Sequence, residues 1–154
     1  MGSLTLTVTT LTKRMRGARV YVDTNAFIYL LESTPKLGDK VASLLAASEQ
    51  HALFACTGDV TVAELLVKPM RDGNAVAIGV IDALFAQTAM VEVLPHTASV
   101  FRLAASLRAE QRLCFIDALH LATALNHRCT FFVTNDADFK SSGHIEVVNL
   151  VGIG

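Results

Sequence analysis

Four acidic side chains carry the chemistry that this sequence can support: Asp23, Glu64, Asp117 and Asp136. Asp23 closes the apolar run RVYVD, Glu64 lies in DVTVAELL, Asp117 in CFIDALH, and Asp136 follows TFFVT in Thr134-Asn135-Asp136-Ala137-Asp138. Each has an ordinary reading. Asp23 and Asp117 suit helix caps, Thr61-x-x-Glu64 matches a capping box, and Asp136 and Asp138 suit a turn. Jointly that reading weakens. Asp117 sits in an apolar run, so its carboxylate is expected to be partly buried and to need a counter-charge. Apart from Arg19 and Lys68 at the edge of the window, no Lys or Arg lies within four residues of Asp23, Glu64 or Asp117. Carboxylates in one pocket repel by roughly 4 kcal/mol per pair at about 4 Å. Either their pKa values rise or a cation joins them, and Mg²⁺ or Mn²⁺ suits an all-carboxylate set.

The elements that must position these acids are legible in the hydrophobic pattern. Short runs at Arg19–Asp23, Leu53–Thr57, Met90–Leu94, Thr130–Thr134 and Ile145–Asn149 are nearly continuous in apolar and β-branched residues, as strands buried on both faces of a parallel sheet are. Helical spacing marks Ala26–Glu32, Leu37–Ser48, Thr61–Lys68, Ala75–Gln87, Thr97–Glu110 and Asp117–His127, with Pro69 expected to end the third. Strands alternating with helices predict an α/β layered fold. In such a sheet, ligands bind outside the carboxyl ends of the strands, which is where the acids fall.

Composition bounds the remaining possibilities. A chain of 154 residues with 52% hydrophobic and 18% charged side chains is one globular domain's worth. A net charge of −1 offers no general attraction for a polyanion, so phosphate binding must rest on a bound cation or on local basic groups. Lys68, Arg71, Arg108, Arg112 and Lys140 lie near expected strand-end loops, though such charges are more often solvated surface. Cys56, Cys114 and Cys129 are far apart in sequence and lack metal-ligand spacing. They read as buried apolar side chains in a reducing, cytoplasmic setting. His120, one helical turn after Asp117, faces either the site or, as favoured, the sheet. The Thr-rich start lacks the order of a signal peptide, no run is apolar enough to span a membrane, and residues 1–17 read as a tail before a domain at 18–154. P-loop and GxSxG motifs are absent.

The segments VYVDTNAFIYLLE (20–32), DVTVAELLVKP (59–69), CFIDALHLATAL (114–125) and FFVTNDADF (131–139) together resemble the PIN-domain family, most of all the VapC-like ribonuclease toxins of toxin–antitoxin pairs. The resemblance spans about Arg19 to Asn149. It implies a three-layer fold with a central parallel five-stranded sheet flanked by helices. It also implies a Mg²⁺- or Mn²⁺-dependent endoribonuclease that leaves 5′-phosphate and 3′-hydroxyl ends, and an antitoxin partner. Carried over by position, Asp23, Glu64, Asp117 and Asp136 are the catalytic and metal-binding acids. Asn25 and Thr134 orient ligands or water, and Asp138 is a supporting acid. A non-toxin PIN nuclease of RNA processing and a non-catalytic RNA- or protein-binding PIN module are the alternatives. A haloacid-dehalogenase-like phosphatase fails because Asn25 stands where a second Asp is required. The low net charge and the apolar helix Leu37–Ala47 suggest a homodimer.

Overall fold

A computed structural model describes residues 7–141 and 143–153. Five strands, β1 (Arg19–Val22), β2 (Phe54–Gly58), β3 (Glu92–Leu94), β4 (Phe131–Thr134) and β5 (Glu146–Asn149), form one sheet in the order β3-β2-β1-β4-β5. Every neighbouring pair is parallel. The strands lie within two residues of the expected runs at each end. The chain builds outward from β1 to β2 and β3, then returns to the other side of β1 for β4 and β5. The carboxyl ends of β1 and β4 therefore flank the topological switch point, where diverging connections leave a crevice.

Side-chain alternation along β1 divides the core into two layers. Val20 and Val22 face helices α1 (Val8–Arg14), α2 (Thr24–Leu31) and α3 (Leu37–Glu49), with Leu65 of α4 (Asp59–Arg71) and Ile81 of α5 (Ala75–Phe85) in the same layer. Tyr21 faces the opposite way, into α6 (Ala98–Glu110) and α7 (Phe115–Asn126), and stacks on Phe132 at 5.2 Å between ring centres. Helix on sheet on helix gives the three layers, each face burying one apolar row of the strands.

Several expectations need correction. Within the stretch expected to be a tail, residues 1–6 lie outside the described residues, and α1 forms after a Thr7 cap whose hydroxyl accepts from Thr10 N–H. Leu11 and Met15 are fully buried, and Arg14 makes a two-pronged contact of 2.6 and 2.7 Å with Glu146 of β5. The basic, Thr-rich composition masks the apolar side chains that dock this segment, Leu11 and Met15 with Val8 beside them. Pro69 does not stop α4, which runs on to Arg71. A proline removes one amide, but Asp72 N–H to Lys68 C=O and Asn74 N–H to Pro69 C=O hold the last turn. The apolar residues of α3 (Val41, Leu44, Leu45) all point into this chain's own core, so they require no second copy. Cys56 and Cys129 are buried with their sulfurs 3.3 Å apart, whereas Cys114 is exposed.

Because α1 belongs to the core, Leu11→Ala is expected to lower unfolding free energy by about 2–5 kcal/mol. Urea unfolding of the variant tests this. An unchanged midpoint would return the segment to the status of a tail.

Candidate active site

Asp23 follows β1 directly and is 5% exposed. Its Oδ1 accepts the Thr24 N–H at 2.8 Å, so the capping role is real. Its Oδ2 does something a cap has no need of. It accepts the Thr134 hydroxyl at 2.8 Å, from the end of the adjacent β4. Asn25 reaches the same pair, with its amide 3.3 Å from Thr134 Oγ1, and its carbonyl accepts the Asn135 N–H at 3.1 Å. Asn25 and Thr134 thus lock the ends of β1 and β4 around one carboxylate. Burial raises the pKa of Asp23, and the charge of Asp117 adds to the rise. The attraction of His120 and the hydrogen bonds from Thr134 and Thr24 oppose it.

Glu64 is not part of a capping box. Helix α4 begins at Asp59, and Thr61 turns inward to Thr57 at 2.7 Å, while Thr57 donates to the Val22 carbonyl. Glu64 Oε1 instead accepts from the Thr24 hydroxyl and meets His120 Nε2, both at 2.8 Å. His120 is 1% exposed and its Nδ1 lies 2.7 Å from the Tyr21 hydroxyl. A carboxylate only accepts, so a neutral imidazole places its proton on Nε2 toward Glu64 and accepts from Tyr21 at Nδ1. Burial pushes the Glu64 carboxyl up, but the hydrogen bonds from His120 and Thr24 outweigh it and the group sits below its ordinary value. His120 Nε2 is also 3.6 Å from Asp23 Oδ1, so one imidazole spans two of the acids. Sequence spacing leaves both the acid site and the sheet open as the neighbour of His120. Only the register of Tyr21 beneath α7 decides that the ring bridges Tyr21 and Glu64.

Asp117 is not the cap of α7. The helix starts two residues earlier, at Phe115, and places Asp117 half-buried in its first turn. Burial raises its pKa, and the charges of Asp136 and Glu64 raise it further. The Cys114 thiol and His120 act the other way. Asp136 follows β4, its N–H donating to Thr134 Oγ1 at 3.0 Å and its Oδ1 accepting the Asp138 N–H at 2.8 Å. Asp138 therefore steadies Asp136 through its backbone, while its own carboxylate is exposed.

The donor set suits a hard divalent cation. Asp23 is raised by Asp117, and Asp117 by Asp136 and Glu64, the mutual repulsion that a cation relieves. Among the described residues, no three His, Cys, Asp or Glu groups already stand as a finished cage. The carboxylates are engaged with Thr134, Thr24, His120 and the Asp138 amide instead.

Asp23 should lower the stability of the metal-free protein at neutral pH. Its folded pKa lies above the ordinary 3.8, so above the folded value the native state carries a buried charge. Between the two values the native state binds the proton first, and below 3.8 both states are protonated and the penalty is gone. Asp23→Asn keeps a good helix cap. It is expected to melt at or above the wild-type temperature at neutral pH, with the gap closing as pH falls toward 3.8. Calorimetry in EDTA measures both curves, and a variant that melts well below wild type at neutral pH contradicts the account. His120→Ala strands Tyr21 Oη, and its expected cost is about 1–3 kcal/mol in the same experiment.

Comparison with known proteins bears on the fold and the family. No curated protein matches the sequence significantly. Among solved structures, VapBC2 from Rickettsia felis, bound to a DNA fragment from its promoter, superposes with a TM-score of 0.66 at 17% identity, covering 85% of this chain and 98% of the other. The sarcin–ricin-loop-cleaving toxin VapC20 from Mycobacterium tuberculosis gives 0.64 at 23% identity, covering 83% and 98%. A toxin–antitoxin complex from Klebsiella pneumoniae gives 0.62 at 20%, covering 85% and 97%. The family model of the PIN domain matches residues 20–144, which takes in all four acids, and the chain belongs to the PIN-domain family.

Proposed function

We propose that this chain is a Mg²⁺- or Mn²⁺-dependent endoribonuclease and the toxin of a type II toxin–antitoxin pair, acting in the cytoplasm. The arrangement that supports it most is the buried Asp23 at the carboxyl end of β1, tied to Thr134 of β4 and 3.6 Å from the His120 ring that also meets Glu64, with Asp136 directly after β4. The fold likeness to toxins solved with their antitoxins, and to a toxin that cleaves the sarcin–ricin loop, supports the finer part of the reading.

Asp23, Asp117 and Asp136 are the groups assigned to hold the metal. When bound, such an ion supplies Lewis acidity at a phosphate oxygen and acidifies water. Glu64 is partly exposed, and the hydrogen bonds from His120 and Thr24 hold its carboxyl below its ordinary value, so it is ionised at neutral pH. It serves as an acceptor that orients water or joins the metal ligands, its direction fixed from behind by the Tyr21–His120 pair. Asn25 and Thr134 keep Asp23 aimed at the crevice, and Asp138 aims Asp136.

An antitoxin partner needs a surface near these acids. A groove of about 380 Å³ between α2, α4 and α5 fits, lined by Ile28, Leu31, Leu65 and Ile81 with Glu64 at its edge. Val67, Met70, Val76 and Val80 on α4 and α5 are also exposed, and these helices replace α3 as the surface assigned to a homodimer. Among the described residues no helix is long and apolar enough to cross a membrane.

Purified protein is expected to cleave RNA with Mg²⁺ or Mn²⁺ and to stop on addition of EDTA. Asp23→Asn should lower the rate by at least about 100-fold, or roughly 2.7 kcal/mol of barrier, while remaining folded. A variant that cuts labelled RNA at the wild-type rate, or cleavage indifferent to EDTA, sinks the metal-site reading.

A further inference from the structure

We propose that the cleft between the α6–α7 connection and the β4–β5 connection is a phosphate subsite for a single-stranded RNA chain, with Arg112 and Lys140 as its cationic groups. The cleft has a volume of about 480 Å³ and is lined by Gln111, Arg112, Leu113, Asp138, Lys140 and Ser141. That is within the roughly 300–1,000 Å³ range of ligand-binding pockets. The proposal rests on the ribonuclease reading above and adds where the strand is gripped beside the acids.

The cleft adjoins the acids. Asp138 lines it and donates its N–H to Asp136 Oδ1 at 2.8 Å, so cleft and acid cluster share a wall. A strand lying across the acids meets this cleft on leaving them.

Arg112 and Lys140 are the basic groups that line the cleft. The neighbouring Arg108 is engaged, donating to the Leu113 carbonyl at 2.8 Å. Among the described residues, Arg112 and Lys140 make no ion pair or side-chain hydrogen bond. Their backbones are nonetheless held. The bond from Arg108 and the burial of Leu113 fix one wall, and the Val147 N–H donating to Ser141 Oγ at 2.9 Å fixes the other. Two free cations on anchored connections, with the Gln111 amide and Ser141 hydroxyl beside them, suit a phosphodiester oxygen pair.

Charge favours the same occupant. The chain carries −1 overall, and the acid cluster repels a polyanion until neutralised. Arg112 and Lys140 against Asp138 leave this cleft with a local excess of positive charge. Asp138 is the unfavourable member, which supplies a gain-of-affinity test that damage to the fold cannot imitate.

The test is anisotropy of a dye-labelled single-stranded RNA oligonucleotide titrated with full-length protein in EDTA, across a range of salt. Wild type, Arg112→Ala, Lys140→Ala, the double variant, Asp138→Asn and the control Arg16→Ala are compared, with EDTA-sensitive cleavage by wild type measured in parallel. The double variant should bind at least tenfold more weakly. Its slope of log affinity against log salt should be shallower by about 0.7 for each phosphate that is no longer neutralised. Asp138→Asn should bind more tightly, and Arg16→Ala should match wild type. A double variant with wild-type affinity and slope overturns the subsite, as does equal weakening by Arg16→Ala or a wild type that binds no RNA at low salt. If pocket-dependent binding appears but wild type never cleaves, the subsite stands and the nuclease reading falls.

Discussion

A carboxylate excluded from water must be surrounded by groups that answer its charge, and Asp23 imposes that requirement on the centre of this fold. It is 5% exposed, and it is met by a backbone amide from its own helix, a hydroxyl from the next strand and an imidazole from α7. Those three partners come from α2, β4 and α7, so satisfying one side chain fixes the relative positions of both helical layers and the sheet. Thr134 cannot donate to Asp23 unless β4 pairs with β1 in the observed register, Val22 opposite Val133. His120 cannot approach unless Tyr21 receives it from below. Stability and the proposed chemistry therefore depend on the same short list of contacts, and the buried charge stands where the order of the strands reverses.

Threonine hydroxyls carry much of this arrangement. Thr57 ties β2 to the Val22 carbonyl of β1, Thr61 leans on Thr57 from the first turn of α4, and Thr24 joins α2 to Glu64. A hydroxyl both donates and accepts within a small volume, so it closes such a chain without adding charge near the acids. Gly58 serves the same economy of space. A Cβ there would stand 2.6 Å from the His96 ring, whose Nε2 accepts the Val60 N–H and so stands in for the missing side-chain cap of α4.

The acids, the strand runs and the layered class are legible in the sequence because each depends on local pattern. Continuous apolar runs mark doubly buried strands, and Asp at their ends needs no tertiary knowledge to be noticed. What stays hidden is long-range. His120 is ambiguous on α7 until Tyr21, 99 residues away, is placed beneath it. Glu64 looks like half of a capping box until Thr61 is seen facing Thr57. Cys56 and Cys129 are 73 residues apart and in contact, a proximity that sequence spacing cannot express. The N-terminal helix escapes sequence reasoning for a different reason. Its polar, basic composition is that of a surface segment, and its docking rests on the buried Leu11 and Met15, with Val8 packed beside them.

That helix also shapes how the chain closes upon itself. Arg14 grips Glu146, 132 residues later, and Lys40 donates to the Leu150 and Ile153 carbonyls beyond β5. The earliest helix thus acquires its full set of partners only when the last strand has joined the sheet. Contacts of such separation are formed late and slowly, because the intervening loop entropy must be overcome before they contribute. Completion of the domain is a global event rather than a sum of local ones. β5 covers the outer edge of β4, an edge of the kind that otherwise offers its unpaired amides and carbonyls to another chain.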